Sequence, residues 1–128
     1  MTTIAWVSRH TPLKAQLEYF KQKLGNYTLY HISQTFKDAQ HVLDQIKQLQ
    51  CKYAVVVLPL WVIAKLVQDK SIVWLYPEME KLHENCNGCS EFNPDTDVIV
   101  KGRHYRFRDF KVIEEVKVVF KDWEVEEQ

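Results

Sequence analysis

Apolar residues recur with two different periods along residues 1–77. Short continuous apolar runs are typical of strands buried on both faces, whereas apolar residues at every third or fourth position are typical of one helix face. The predicted strands are Thr3–Val7, Tyr27–Ile32, Lys52–Leu58 and Ser71–Tyr76. The predicted helices between them carry Leu13, Leu17, Phe20 and Leu24, then Ala39, Val42, Leu43, Ile46 and Leu49, and finally Leu60–Gln68.

A few residues mark where these helices begin and end. Thr11 as N-cap and Pro12 at the first helical position predict the start of the first helix, and Gly25 predicts its end. Asp38 is the predicted N-cap of the second helix, and Pro59 ends the third strand. The alternation of strand and helix predicts an α/β fold, with a Rossmann-like, mainly parallel sheet and helices on both faces. We expect the strand order 3-2-1-4, with strands 1 and 3 well buried.

The pattern changes after residue 77, although the whole chain, 1–128, is expected to form one domain. Residues 1–77 form the βα core, residues 78–96 are polar and predict a loop, and residues 97–128 predict a β region. That region begins with a hairpin of Asp97–Lys101 and Tyr105–Arg108 around Gly102 and continues as one or two strands through Val112, Val116, Val118 and Phe120. We expect these C-terminal strands to be antiparallel, either at the sheet edge or between subunits.

Composition restricts the function classes. The 17 basic and 17 acidic side chains cancel, so the whole chain is not attracted to nucleic acid or to anionic membranes. Three widely spaced glycines exclude both a P-loop and a G-x-G-x-x-G turn. No signal peptide or membrane-spanning segment is predicted, and an odd number of cysteines, three, argues against a disulfide framework. The expected location is therefore the cytoplasm.

A candidate site follows the first strand. Ligands of parallel sheets bind beyond the carboxyl ends of the strands, where this chain carries Ser8, Arg9, His10 and Thr11. A guanidinium, an imidazole and two hydroxyl groups before a helix N-terminus suit a phosphate group. The structural alternative is that Thr11 only caps the helix, Arg9 pairs with a carboxylate, and His10 is a surface residue.

The segment Trp6–Pro12, followed by Gln16, resembles the opening of a family of small phage-borne and prokaryotic proteins with a Ser-Arg-His or Ser-His signature. Val56–Leu60 is similar to their third strand and the turn after it, and Arg106–Ile113 with Val116–Val119 is similar to their closing strands. Some members of this group resemble CRISPR-associated proteins with a CARF-like Rossmann domain. CARF domains bind cyclic oligoadenylates, and some of them are ring nucleases that cleave these messengers.

The resemblance implies a site and an assembly. The implied ligand-binding residues are Ser8, Arg9, His10, Thr11, Gln16, Leu58, Pro59 and Leu60. The implied assembly is a homodimer in which two pockets meet around a symmetric cyclic nucleotide. Cleavage would require no metal, because a ribose 2′-hydroxyl can attack the adjacent phosphate. His10 would then assist proton transfer, while Arg9 and Ser8 would position the phosphate and stabilise its charge.

A second candidate is a metal site. His83, Cys86 and Cys89 have the spacing H-x-x-C-x-x-C, which supplies three of the four ligands of a structural zinc site. The fourth ligand would be His104, Cys51 or a residue of a second chain. The alternative is a polar loop with two free thiols, and no cofactor is expected other than this possible zinc ion.

A third candidate is the basic hairpin. Residues 101–111 carry five positive and one negative side chain, whereas residues 112–128 carry two positive and six negative. Basic residues interleaved with aromatic ones can bind nucleic acid. Strand alternation instead favours a solvated basic face, neutralised within the chain or by self-association.

Three functions follow from these candidates. The first is CARF-like binding of a cyclic oligonucleotide or related nucleotide, with cleavage or sequestration. The second is non-enzymatic binding of a host protein by a protein of a phage or mobile element, through the C-terminal β region. The third is nucleic-acid binding through the hairpin.

Overall fold

The chain alternates strand and helix up to its fourth strand and continues as strands alone. A computed structural model describes residues 2–33, 37–85 and 90–125. In chain order the elements are β1 (Thr2–Val7), α1 (Lys14–Leu24), β2 (Tyr27–Ile32), α2 (Ala39–Gln48), β3 (Tyr53–Val56), α3 (Leu60–Leu66), β4 (Val73–His83), β5 (Asp97–Val100) and β6 (Arg103–Val112). This arrangement confirms the predicted α/β class. No helix in the described ranges is long and apolar enough to span a bilayer.

The strands of the described residues form one mixed sheet in the order β2-β1-β3-β4-β6-β5. β1 pairs in parallel with β2 and β3, and β3 pairs in parallel with β4, whereas β6 is antiparallel to both β4 and β5. The predicted order 3-2-1-4 is therefore wrong. Its error lies in β2, whose Tyr30 and His31 are exposed. Such a strand suits an edge of the sheet. The expected burial of β1 and β3 is confirmed, but β3 lies in the centre of the sheet and not at the edge where the predicted order put it.

β4 is longer than predicted and includes the first part of the expected loop. Within β4, only Val73–Leu75 pair with β3. Among the described residues, the rest of β4 therefore pairs with β6 alone. Pro77 is tolerated there because the strand is no longer central. The largely polar segment 78–83 is therefore part of a strand that pairs with β6, and not a loop.

The C-terminal region is only partly as expected. The hairpin around Gly102 is confirmed, with β5 and β6 joined by Lys101 and Gly102, both at positive φ. Such a two-residue turn matches the twist of the flanking strands. The predicted strand or strands through Val116, Val118 and Phe120 are not present, because residues 113–125 are neither helix nor strand.

The helices cover opposite faces of the sheet. α2 and α3 pack on one face, where Val42, Ile46 and Ile63 are almost completely buried. α1 covers the other face through Phe20, which packs against Trp6 and stacks on Phe110 with ring centroids 4.7 Å apart. The β1–α1–β2 and β2–α2–β3 crossovers run in opposite directions along the sheet. Right-handed connections therefore require α1 and α2 to lie on opposite faces, as they do.

A β-bulge completes the core on the α1 face. Glu78 pairs with Asp109 and Met79 pairs with Phe107, which leaves Arg108 as an extra residue in β6. Without the bulge, Phe107 and Phe110 would point to opposite faces, because three positions separate them. With it, both are buried in the α1 core, so the predicted alternation of faces along this strand is wrong.

The start of α1 also differs from the prediction. The N-cap is Leu13, not Thr11, and the helix begins at Lys14 rather than at Pro12. The buried Gln16 side chain accepts a hydrogen bond from the Leu13 N–H at 2.8 Å, which replaces the expected hydroxyl cap. Gly25 ends the helix as predicted, with φ of 74° and an N–H donated to Lys21 O.

Candidate functional site

A cleft of about 440 Å³ lies at the carboxyl ends of β1, β2 and β3. β1 lies between β2 and β3, so the chain runs from β1 to one neighbour and then crosses over to the other. The cleft lies at this reversal of the strand order. Parallel sheets bind their ligands at this position. The lining residues are Val7, Ser8, Arg9, His10, Ile32, Ser33, Lys37, Asp38, Val42, Val57, Leu58, Pro59, Trp61 and Val62.

Hydrogen bonds fix the loop after β1. The buried Ser8 hydroxyl accepts from the His10 N–H at 3.1 Å, and the Trp6 indole N–H donates to His10 O at 2.8 Å. From β2, the His31 Nε2–H donates to Ser8 O at 2.9 Å. Three side chains thus hold the backbone of residues 8–10 in place, while the Arg9 and His10 side chains are exposed.

The cleft contains positive charge without matching ion pairs. Arg9 and Lys37 both line it, and neither makes an ion pair with any described residue. The lining carboxylate, Asp38, is committed to α2, where its Oδ1 accepts from the His41 N–H at 2.9 Å as the predicted N-cap. Two cations are therefore available to an anionic ligand.

The structure brings together only part of the predicted site. Ser8, Arg9, His10, Leu58 and Pro59 line the cleft. The remaining predicted residues do not: Thr11, Gln16 and Leu60 are absent from its lining. The Gln16 side chain is hydrogen-bonded to the Leu13 N–H at the start of α1, which lies on the opposite face of the sheet from α2 and α3.

The predicted site lacks nine of the fourteen lining residues, and two of the nine, Lys37 and Trp61, offer a charge and an exposed ring to a ligand. Lys37 precedes the Asp38 cap and Trp61 lies in the first turn of α3, so both follow predicted strand ends by only a few positions. The apolar neighbours of Trp61 in the sequence predict a core residue. Trp61 is instead 60% exposed, with Lys65 Nζ 5.8 Å from its ring centroid. The signal that could have found both was their proximity to the carboxyl edge of the sheet.

The basic hairpin is neutralised by neighbouring carboxylates. On β4 and just beyond it, Glu80 pairs with Arg108, Glu78 with Lys111, and Glu84 with Arg103. These acidic partners belong to residues 78–84 and not to the acidic segment 112–128. The pairs reduce the positive surface that nucleic-acid binding through the hairpin would use.

Asp97 forms the most extensive polar network of the described residues. Its fully buried carboxylate accepts five hydrogen bonds: from Arg106 Nε at 2.8 Å and Nη2 at 3.0 Å, Thr96 Oγ1 at 2.6 Å, the Asn93 N–H at 3.0 Å and His104 Nε2 at 2.7 Å. The Arg106 guanidinium, with the smaller help of the other donors, holds the pKa of this carboxyl well below its usual range against the opposing effect of burial. Asp97 is therefore charged in the folded protein at neutral pH.

The metal candidates are divided between described and undescribed residues. His83 ends β4 and lies opposite His104 of β6, while Cys86 and Cys89 lie outside the described residues. Cys51 is buried beside α2 and α3 ahead of β3, where burial raises the pKa of its thiol. Since His83 is at the far end of β4 from the part that pairs with β3, Cys51 is not placed to be the fourth ligand.

No family model, curated protein or solved structure matches this chain. The interpretation of the site therefore depends on its geometry.

Proposed function

We propose that the cleft binds a nucleotide, with its phosphate on Arg9 and Lys37. The observation that carries this proposal is the presence of two cations without ion-pair partners in the described structure, at the edge where parallel sheets bind ligands. A guanidinium binds phosphate oxygens in pairs, and a lysine adds a point charge. The fixed backbone of residues 8–10 supports this role because little ordering is needed on binding.

The remainder of the cleft suits a nucleobase. Val57, Leu58 and Pro59 form an apolar wall, and Trp61 presents an exposed indole ring beside it. Aromatic stacking of a base contributes about 1–3 kcal/mol. A ligand with one anionic end and one flat apolar end therefore fits this lining better than inorganic phosphate does.

The finer form of the proposal is a CARF-like, Rossmann-like protein that binds a cyclic oligonucleotide. A cleft of about 440 Å³ is near the lower end of ligand-site volumes and suits one nucleotide unit better than a whole ring. A symmetric cyclic ligand would then require two clefts facing each other across a homodimer axis. The ring would be held by one Arg9 and one Lys37 from each subunit.

His10 is the residue best suited to cleave such a ligand. In this reaction His10 accepts the proton of a ribose 2′-hydroxyl as its oxygen attacks the adjacent phosphorus. The 5′-oxygen leaves with a proton from solvent, and a 2′,3′-cyclic phosphate remains. Arg9 would stabilise the extra charge on the phosphate oxygens. Ser8 would act by positioning, since its hydroxyl holds the His10 N–H.

Calorimetric titration tests binding. We expect heat with mononucleotides or cyclic oligonucleotides, and Arg9→Ala or Lys37→Ala should each weaken affinity by about 10- to 100-fold through loss of a charge-assisted hydrogen bond. Lys21→Ala is the matched control, because Lys21 is an exposed cation on α1 outside the cleft. The proposal fails if no nucleotide gives heat, or if Arg9→Ala binds as the native chain does.

A second candidate function is protein binding through residues 113–125. Val118, Val119, Phe120 and Trp123 are 74%, 81%, 87% and 90% exposed, a density of apolar surface that is typical of interaction segments. This observation supports a protein partner for residues 113–125, and the identity of that partner as a host protein stays a prediction. Affinity capture with the native chain and with a Phe120→Ser/Trp123→Ser variant tests it, with Arg9→Ala as the control. Equal capture by all three proteins would refute this function.

A further inference from the structure

The His104 ring has an incomplete set of hydrogen bonds. Its side chain is fully buried, Nε2 donates to Asp97, and Nδ1 has no hydrogen-bond partner among the residues that the structure describes. With the proton on Nε2, Nδ1 carries a lone pair. A buried polar atom without a hydrogen bond is destabilising, so native structures rarely keep one without a ligand or water.

Asp97 orients the His104 imidazole in the way that a carboxylate next to a metal site orients a metal-binding histidine. A ligating histidine almost always donates its second ring N–H to a carboxylate or carbonyl, which fixes the tautomer and makes the free nitrogen more basic. Here the distance from His104 Nε2 to Asp97 Oδ2 is 2.7 Å. Arg106, Thr96 and the Asn93 N–H in turn hold the carboxylate, so the ring is fixed before any ion arrives.

A second imidazole lies directly beside the first. His83 is the cross-strand partner of His104, and the two ring centroids are 5.4 Å apart. Its Nε2 lies 3.1 Å from Glu91 Oε2, so this ring also has a carboxylate partner. Glu91 and Asp97 are the carboxylates that contact the pair among the described residues. Cross-strand partners point to the same face, which allows both rings to contact one ion.

We propose that His104 Nδ1 and His83 bind a tetrahedrally coordinated transition metal ion, of which zinc is the best suited. Neutral imidazoles are good zinc ligands, and structural zinc sites are completed by thiolates or further histidines. The sequence places Cys86 and Cys89 three and six residues after His83. Both cysteines lie outside the described residues, so the proposal assigns the two histidines and the experiment identifies the remaining ligands. It is independent of the nucleotide proposal.

Cobalt(II) titration of the reduced, metal-free full chain tests this site. Tetrahedral Co²⁺ absorbs strongly in the visible range, and thiolate ligands add a charge-transfer band in the near ultraviolet. We expect one tetrahedral Co²⁺ per chain, displaced by Zn²⁺. A near-ultraviolet band that is lost in a Cys86→Ser/Cys89→Ser variant would identify thiolates among the remaining ligands. If the native chain shows visible bands without the near-ultraviolet band, the two-histidine assignment stands without the thiols.

His83→Ala is the decisive variant, because His83 is only half-buried and its removal spares the Asp97 network. We expect its affinity for Co²⁺ to fall by about 100-fold or more, beyond the about 10- to 100-fold typical of an outer-shell residue. His104→Gln should do the same if it folds. His10→Ala is the control and should bind Co²⁺ normally. The proposal is overturned if the native chain gives no tetrahedral spectrum, or if His83→Ala binds Co²⁺ as tightly as the native chain.

Discussion

Replacement of Asp97 by asparagine should destabilise the protein more than any surface charge change. In asparagine, one of the two acceptor oxygens becomes an NH₂ group, which cannot accept a hydrogen bond. In either orientation of the amide, this group faces donors: two if it takes the place of Oδ1 and three if it takes the place of Oδ2. Charge-assisted hydrogen bonds contribute about 1.5–3 kcal/mol each. Breaking a buried ion pair costs about 3–5 kcal/mol. We therefore expect Asp97→Asn to lower the free energy of unfolding at pH 7 by about 3–5 kcal/mol.

Denaturant unfolding followed by circular dichroism measures this loss. Glu80→Gln is the matched control, since it removes a carboxylate from a half-exposed pair with Arg108 and should cost less than about 1 kcal/mol. The folded-state pKa of Asp97 is depressed, so its contribution is complete above its unfolded pKa of about 4 and declines as the pH falls further. The stability difference should be constant from about pH 5 to 8 and shrink in acid. A loss no larger than that of Glu80→Gln would refute the reasoning.

Three further predictions concern stability, each measured as a change in the free energy of unfolding. Gln16→Ala should cost about 1 kcal/mol by removing the cap of the Leu13 N–H, whereas equal stability would show that the cap is dispensable. Phe110→Ala should cost about 3–5 kcal/mol because it leaves a cavity beside Phe20, and a loss under about 1 kcal/mol would contradict the described packing. Lys47 and Ser71 lower the pKa of Asp69 to about 2, so Asp69→Asn should cost about 1–2 kcal/mol at pH 7, and this difference should fade between about pH 4 and pH 2. A pH-independent difference for Asp69→Asn would contradict that assignment.

The parallel half of the fold was predictable because its information is local. Apolar periodicity located β1 to β3 and the three helices, and the Asp38 cap and the Gly25 stop were both correct. The strand order was not local information. The order depends on which strand can lie at an edge with exposed residues. Tyr30 and His31 are exposed, which identifies β2 as an edge strand, but this exposure is seen only in the folded structure.

The antiparallel half was harder to predict because its signals depend on pairing. Polar residues along 78–83 resemble a loop in sequence, and only the single-sided pairing of β4 explains them as a strand. The bulge at Arg108 has no sequence signature of its own. One signal was available, however: a two-residue turn at Lys101 and Gly102 places Asp97 opposite Arg106, which would have predicted their ion pair.

The candidate site was predictable in position and only partly in content. The rule that ligands bind at the carboxyl edge indicated Ser8, Arg9 and His10, which line the cleft together with Leu58 and Pro59. Gln16 was assigned from the resemblance, and its side chain instead serves the start of α1. The sequence spacing of His83, Cys86 and Cys89 gave His104 only as one possible fourth ligand. The buried pair that His104 forms with Asp97 depends on the register of the hairpin, which that spacing does not contain.

The way β6 completes the α1 core has a consequence for synthesis on the ribosome. Ile4, Trp6 and Phe20 emerge early, but Phe107 and Phe110, which close the same core, follow almost ninety residues after Phe20. Contacts between residues so distant in sequence form slowly, and nascent chains expose the surfaces that such contacts will cover. A growing chain can therefore bury the α2 and α3 face first, while the apolar face under α1 is open to chaperones until the last strand has been made.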